Sequence, residues 1–212
     1  SLTFYDKIKM HPVIGADGTI YVGMGWQFCP INPNMTLKWC KPTIADVSSN
    51  AAAIDAQGFI YFGDRDNTFY KYSPAGDRIA TYNHGHEGDI DSSAAIALDG
   101  TIYISFIQNL HGFGVVMAHK TNPANPQQFL VKWSLPYVAG AFGTTSSPAI
   151  GPNGTIYVGF ANGTLHALKE TLATDPASVV QFLAEARLLA RLDHPVLVRV
   201  NDYFVEPSGA AF

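Results

Sequence analysis

"SSPAIGPNGTIYVGF", residues Ser146–Phe160, decides the fold of this chain, because closely similar text occurs four times along it. A short apolar segment leads into an Asn-Gly pair, which accepts positive φ and suits a two-residue hairpin turn. The following "TIYVG" alternates β-branched and aromatic residues, as is typical of a pleated, largely buried strand. Each copy therefore predicts two antiparallel strands joined by a tight turn.

The four copies recur at a blade-like period. Their turn glycines, Gly18, Gly58, Gly100 and Gly154, lie 40, 42 and 54 positions apart. A further strand follows the hairpin, and about forty residues with about four short strands is the size of one propeller blade. The sequence predicts a mainly β fold: a partial, about four-blade β-propeller of four-stranded antiparallel blades.

The repeated pattern SS-x-A-I-G-x-[DN]-G-T-I-Y-V-G, followed by a strand that ends before a Trp, resembles the PQQ-like β-propeller family over residues ~8–168. The resemblance implies W-shaped blades in which Trp39 and Trp133 pack between neighbours instead of stacking on a ligand. Such propellers close with more blades than four. Residues 1–168 are therefore expected to form an incomplete ring whose open edges allow self-association.

The last part of the chain has a different period. Apolar residues recur at helical spacing over residues 176–192, Asp175 and Pro176 suit a helix start, and His194-Pro195 ends the pattern. Residues 196–206, "VLVRVNDYFVE", then indicate a short strand pair. We expect a C-terminal helix followed by two strands.

This tail, residues ~167–212, resembles the N-terminal lobe of a bacterial-type Ser/Thr protein kinase, through "ALKE" and "EARLLARLDHP". The resemblance implies a second domain over residues 169–212, made of a strand, an αC-like helix and two strands. By position, Lys169 would hold the ATP phosphates and Glu185 would be its ion-pair partner. The alternative is an exposed lysine and a partly solvated glutamate. The kinase Gly-rich loop, catalytic loop and metal site are missing from the sequence, which predicts an inactive tail with no catalytic residues.

The composition and charge limit the classes of partner that we expect. Hydrophobic residues make up 47% of the chain and charged residues 14%, which fits a well-filled globular protein. A net charge of -4 gives no basic footprint, so we expect no nucleic-acid partner. No membrane-spanning run and no signal peptide are visible, and the compartment stays unassigned.

Two sets of residues could carry further chemistry. His84, His86, Glu87 and Asp89 superficially resemble a metal cluster, but their place before a repeat favours a polar loop between blades, and we expect no metal site. Cys29 and Cys40 could pair across a hairpin, although the sequence favours two small buried hydrophobic residues. They are not adjacent, and no convergent acidic set accompanies them, so no bound quinone is expected.

We therefore expect a non-enzymatic binding, scaffold or sensor module, bacterial by its resemblances, whose loops take a protein or extended ligand. It would carry an inactive kinase-like tail and no cofactor. One alternative is a fragment of a signalling Ser/Thr kinase with a propeller sensor, which would bind ATP. A second is a quinoprotein dehydrogenase fragment, which would bind PQQ.

Overall fold

Four antiparallel β-sheets follow one another along the chain in a computed structural model. The structure describes residues 2–4, 6–47, 50–85, 88–108, 113–136 and 146–170, together with Val180, Gln181 and Ala184. Sheet I contains β1 (Val13–Ile14), β2 (Ile20–Met24), β3 (Gln27–Ile31) and β4 (Lys41–Pro42). Sheet II contains β5 (Ala53–Ile54), β6 (Ile60–Gly63), β7 (Thr68–Tyr72) and β8 (Arg78–Asn83).

Sheets III and IV depart slightly from the four-strand pattern. Sheet III orders β10 (Ala95–Ile96), β11 (Ile102–Gln108), β12 (Phe113–Thr121) and β13 (Phe129–Pro136), while β9 (Gly88–Asp89) pairs with the far end of β11. Sheet IV has three strands among the described residues: β14 (Ala149–Ile150), β15 (Ile156–Gly159) and β16 (Leu165–Leu168). The mainly β prediction of successive antiparallel sheets is confirmed.

Two compact units are distinguished by contacts within the chain. One comprises residues 1–150 and 157–166, and so holds sheets I to III. The other comprises residues 151–156 and 167–212, of which residues 151–155 form the β14–β15 turn and Ile156 begins β15. The division into a propeller part, 1–168, and a kinase-like part, 169–212, stays a prediction.

The hairpin turns are one residue longer than the sequence predicted. In the first, the Gly15 amide donates to the Thr19 carbonyl (2.8 Å), and the Gly18 amide donates back to the Gly15 carbonyl (2.9 Å). Gly18 alone takes the left-handed conformation, with φ of +80°. A two-residue type I′ turn needs positive φ at both central residues, which Asp17 does not adopt. Asp17 instead accepts the Thr19 amide (3.0 Å), so the repeated Asp/Asn-Gly pair closes a three-residue loop with a glycine bulge.

Apolar side chains fill the spaces between successive sheets. Between sheets I and II, Phe28 stacks on Phe62 with ring centroids 4.1 Å apart. Trp39 packs in the same layer, 5.9 Å from the Tyr72 ring, and its Nε1 donates to the Pro74 carbonyl (3.2 Å). Trp39 therefore packs between sheets, as its repeat position indicated. A second apolar layer lies between sheets II and III and includes the fully buried Ile90.

The repeated serines connect neighbouring sheets. The Ala51 amide donates to Ser93 Oγ (2.8 Å), and the Ser93 amide donates to Ser147 Oγ (2.9 Å). One residue earlier in the repeat, the buried Asn50 side chain donates to the carbonyls of Gly63 (3.0 Å) and Ile90 (2.9 Å). These residues link the segments that lead into the first strands of successive sheets.

Candidate functional site

The sequence-predicted nucleotide pair is only half described. Lys169 follows β16 and is exposed, with no salt bridge to any other described residue. Glu185 and most of the predicted helix 176–192 lie outside the described residues, as does the strand pair of residues 196–206. Val180, Gln181 and Ala184 are in helical conformation and exposed. The roles of Lys169 and Glu185 stay predictions.

His84 is not a solvated loop residue, contrary to our expectation for the "NHGHEGD" segment. Its side chain is 9% exposed and lies against the rings of Tyr82 (4.7 Å) and Phe106 (4.5 Å). Asp89 is half-buried near Arg65, and His86 and Glu87 lie outside the described residues. Within the described part of the chain, no group of three His, Cys, Asp or Glu side chains could hold a metal ion.

His84 pairs with a histidine near the end of β12 that the sequence did not single out. Its Nδ1 donates to the Asn67 carbonyl (3.0 Å), and its Nε2 therefore accepts from His119 Nε2–H (2.8 Å). His119 is fully buried and also contacts Phe69 and Phe129. The only sequence signal was a histidine at an inward-facing position of an apolar strand.

Both imidazoles are held neutral. Burial lowers the pKa of His84 to about 4. Burial, and to a smaller degree the neighbouring His84, lowers the pKa of His119 to about 3. A charged imidazole would have to stay desolvated among aromatic rings, which disfavours the protonated form.

A buried carboxylate shapes the strand ends opposite the Asp-Gly turns. Asp64, at the β6–β7 turn, is fully buried and accepts the Tyr70 hydroxyl (2.7 Å) and the amides of Ala45 (3.1 Å) and Thr68 (3.0 Å). Burial, and to a smaller degree the Asp64 charge, raises the pKa of Tyr70. Tyr70 therefore stays a hydrogen-bond donor, and the segment from Thr43 to Val47 is fixed beside the β6–β7 turn.

Opposite charges line this end of sheets I to III. Lys9 forms an ion pair with Asp46, and the Arg65 amide donates to the Asp46 carbonyl (3.1 Å). The Arg65 guanidinium binds Asp91 through two bonds (3.1 and 3.2 Å) and lies 4.0 Å from Asp89. The hydrogen bonds to Asp91 raise the pKa of Arg65. The guanidinium is therefore held in one orientation while its side chain stays 43% exposed.

Two large apolar side chains stand beside these charges. Trp26, in the β2–β3 turn, is 63% exposed, and its carbonyl accepts the Thr43 amide (2.9 Å). The adjoining Ile44 is 50% exposed, and its amide bonds the Tyr70 hydroxyl (2.8 Å). We call Trp26, Ile44, Lys9, Asp46 and Arg65 the rim patch.

A cleft of about 520 Å³ runs beside the rim patch along sheet I. The N-terminal segment forms one wall and sheet I the other; the cleft is lined by Leu2, Thr3, Phe4, Asp6, Met24, Trp26, Gln27 and Leu37. Leu2 and Phe4 pack on the buried residues Val22, Met24, Cys29 and Ile31. The N-terminal segment thus covers the face of sheet I that points away from sheet II.

Cys29 and Cys40 form a disulfide, with their Cα atoms 4.3 Å apart. The sequence favoured two separate buried thiols, and the structure corrects this. Cys29 lies in β3, and Cys40 directly precedes the neighbouring edge strand β4. The antiparallel pairing of these two strands brings the side chains together, which spacing alone could not establish.

Comparison with known proteins assigns the fold. No family model and no curated protein sequence matches the chain. It is similar to BamB from Moraxella catarrhalis, with a TM-score of 0.58 and 15% identity over 77% of this chain and 47% of that one. It is also similar to the C-terminal WD40 domain of Sif2, with a TM-score of 0.61 and 12% identity over 79% and 48% of the two chains. The chain has a β-propeller fold.

A third β-propeller match is to a chain in a crystal structure of the mitotic checkpoint complex, with a TM-score of 0.58 and 14% identity over 74% and 47% of the two chains. The chain spans less than half the length of each of these three structures. Among the described residues, no helix has the length and apolar character needed to cross a membrane.

Proposed function

We propose that this chain is a non-enzymatic binding module built from PQQ-like propeller blades, and that its rim patch holds an extended segment of a partner protein. The observation that carries the proposal is Trp26, a large aromatic side chain left 63% exposed on a turn whose backbone is fixed. Tryptophan and arginine dominate binding energy at protein interfaces, because they combine a large contact area with directional polar groups.

The charges of the rim patch suit a peptide. Arg65 is held by Asp91 and its side chain stays 43% exposed, so its guanidinium can donate to a backbone carbonyl or a carboxylate of a ligand. Lys9 and Asp46 offer a donor and an acceptor beside it. An ordered row of alternating charges fixes the register of a bound strand more than it adds affinity.

Of two similar structures, only one favours a protein partner. One is described as part of a mitotic checkpoint complex, so a chain of this fold takes part in a multi-protein assembly there. The second, BamB, shows the fold alone. Function is carried by sites and not by folds, so the proposal rests on the rim patch.

Selection from a random peptide library displayed on phage tests the proposal. We expect the immobilised protein to enrich peptides that also bind in solution, measured by calorimetry. Trp26→Ala should weaken that binding by at least about tenfold. Leu98→Ala is the matched control, because Leu98 is fully exposed in the β10–β11 turn, at the opposite strand ends. No enrichment, or equal loss in both variants, would overturn the proposal.

The kinase-like reading of the tail is a separate prediction. It rests on "ALKE" and "EARLLARLDHP" alone, and none of the comparisons supports it. If the tail binds ATP through Lys169 and Glu185, calorimetry should detect binding that Lys169→Ala abolishes. Binding of PQQ, the other alternative, would appear as quinone absorbance that copurifies with the protein.

A further inference from the structure

The face of sheet IV that points onward along the chain is apolar and exposed. The repeat aligns its Tyr157 with Tyr61 of sheet II, since both follow the isoleucine that begins the second strand. Leu165 likewise aligns with Phe69, since each directly follows the threonine that the repeat places at the start of the third strand. In sheet II these side chains are 3% and 1% exposed, whereas in sheet IV they are 38% and 71% exposed.

The equivalent face of sheet II shows which kind of residue covers it. Tyr61 and Phe69 are buried by residues of the next sheet, among them Ile104 and Phe106. The repeat places Val22 and Met24 of sheet I at the positions of Ile104 and Phe106, since they lie one and three residues after the repeat tyrosine. Val22 and Met24 therefore belong to the kind of face that Tyr157 and Leu165 would pack against.

In the single chain that face of sheet I is covered by Leu2 and Phe4. The cover is partial, since an apolar-lined cleft of about 520 Å³ stays open between the N-terminal segment and the sheet. The molecule thus has two complementary faces: one is exposed, and the other is closed only by a short segment of chain.

We propose that a second copy of this chain supplies the missing cover: the Tyr157–Leu165 face of each copy docks on the Val22–Met24 face of the other, displacing Leu2 and Phe4. The repeat supports a second copy as the occupant, because the Tyr157–Leu165 face and the Val22–Met24 face are equivalent to the two faces that pack together between sheets II and III. Propellers close with about four to eight blades, so two sets of four sheets fall within the observed range. Head-to-tail contacts that repeat by a twofold rotation close after two copies.

Light scattering during size-exclusion chromatography tests this inference, which goes beyond the proposed function. Over about 1 to 100 µM, the mass should rise from 22.9 kDa toward twice that value. Leu165→Glu should weaken dimerisation by at least about tenfold, because it places a charge in an apolar contact. Leu98→Glu, an equally exposed leucine on a turn, should leave the dimer unchanged.

A second variant moves the equilibrium the other way. Leu2→Ser with Phe4→Ser weakens the segment that competes for the sheet I face, so the dimer should form at lower concentration. Any of four results would overturn the proposal. The protein could stay a monomer at every concentration, or form species larger than a dimer. Leu165→Glu could leave the dimer unchanged, or the serine variant could weaken it. Peptide binding should survive Leu165→Glu, so failure of this inference is distinguishable from failure of the rim-patch proposal.

Discussion

At the scale of single residues, two buried histidines make the stability of the fold depend on pH. His84 and His119 share one hydrogen bond inside an aromatic layer and are both neutral in the folded chain. In the unfolded chain each would titrate near its usual pKa of about 6.5. The unfolded chain therefore binds protons below that pH, while the folded chain binds them only near pH 4 or lower.

We expect the free energy of unfolding to fall as the pH drops from 6.5 toward 4, because protons then favour the unfolded state. Each histidine contributes a slope of about 1.4 kcal/mol per pH unit, or about 2 kcal/mol between pH 6.5 and 5. Urea unfolding at pH 7 and pH 5 measures this loss.

The double variant His84→Leu with His119→Leu should lose much less stability over the same interval. His11→Leu is the control, because His11 is exposed. An unchanged pH dependence in the double variant would show that the buried pair is not its source.

At the scale of the single element, one buried polar side chain before the first strand of a sheet holds the second strand of that sheet. Asn50 reaches two carbonyls, on Gly63 and Ile90, from a fully buried position. In sheet III, Ser92 stands at the corresponding place and bonds the Ser105 carbonyl. Both side chains thus bond the second strand of their own sheet, and Asn50 alone also reaches the segment that leads into the next sheet.

Asn50→Ala should lower the free energy of unfolding by about 2 kcal/mol, because two buried carbonyls lose a donor. Asn50→Ser should recover part of this, since serine suffices in sheet III. Chemical denaturation with a constant m-value measures the differences. Asn34→Ala, in an exposed turn, should cost less than about 1 kcal/mol. Equal effects at positions 34 and 50 would refute the assigned role.

The repeated sequence pattern predicted the sheets well because each hairpin depends on residues that are close together in the sequence. Gly18 and its equivalents mark turns that depend only on neighbouring residues, and Trp39 packs where its repeat position placed it. The turn length was wrong because Asp-Gly pairs fit both two-residue and three-residue loops. The disulfide, the His84–His119 pair and the rim patch join residues that are distant in sequence or differ between copies. Their geometry appears only once the sheets are packed.

At the scale of the whole molecule, sheets I to III belong to one compact unit joined by continuous apolar layers. Trp39 reports on the layer between sheets I and II, and Trp133 is buried in sheet III against Tyr103. Repeat folds transmit stability through nearest-neighbour interfaces. A substitution in the layer between sheets II and III should therefore lower the stability of the sheets on both sides of that layer.

Ile90→Ala removes a fully buried side chain from that layer and should cost about 2 to 4 kcal/mol. Unfolding is followed by fluorescence in variants that retain only Trp39 or only Trp133. We expect both midpoints to fall together. Ile14→Ala, at an exposed position, should move neither. A shift confined to one tryptophan would mean that the sheets unfold separately.

The disulfide of sheet I makes one blade sensitive to redox conditions. The chain has two cysteines, so oxidation within one molecule has a single product and cannot scramble. A cross-link that closes a loop of this size stabilises a fold by about 2 to 3 kcal/mol, mainly by restricting the unfolded chain. Where glutathione keeps thiols reduced, sheet I loses that contribution and the other sheets lose nothing directly. The stability of the first blade therefore depends on the redox potential of the compartment in which the chain folds.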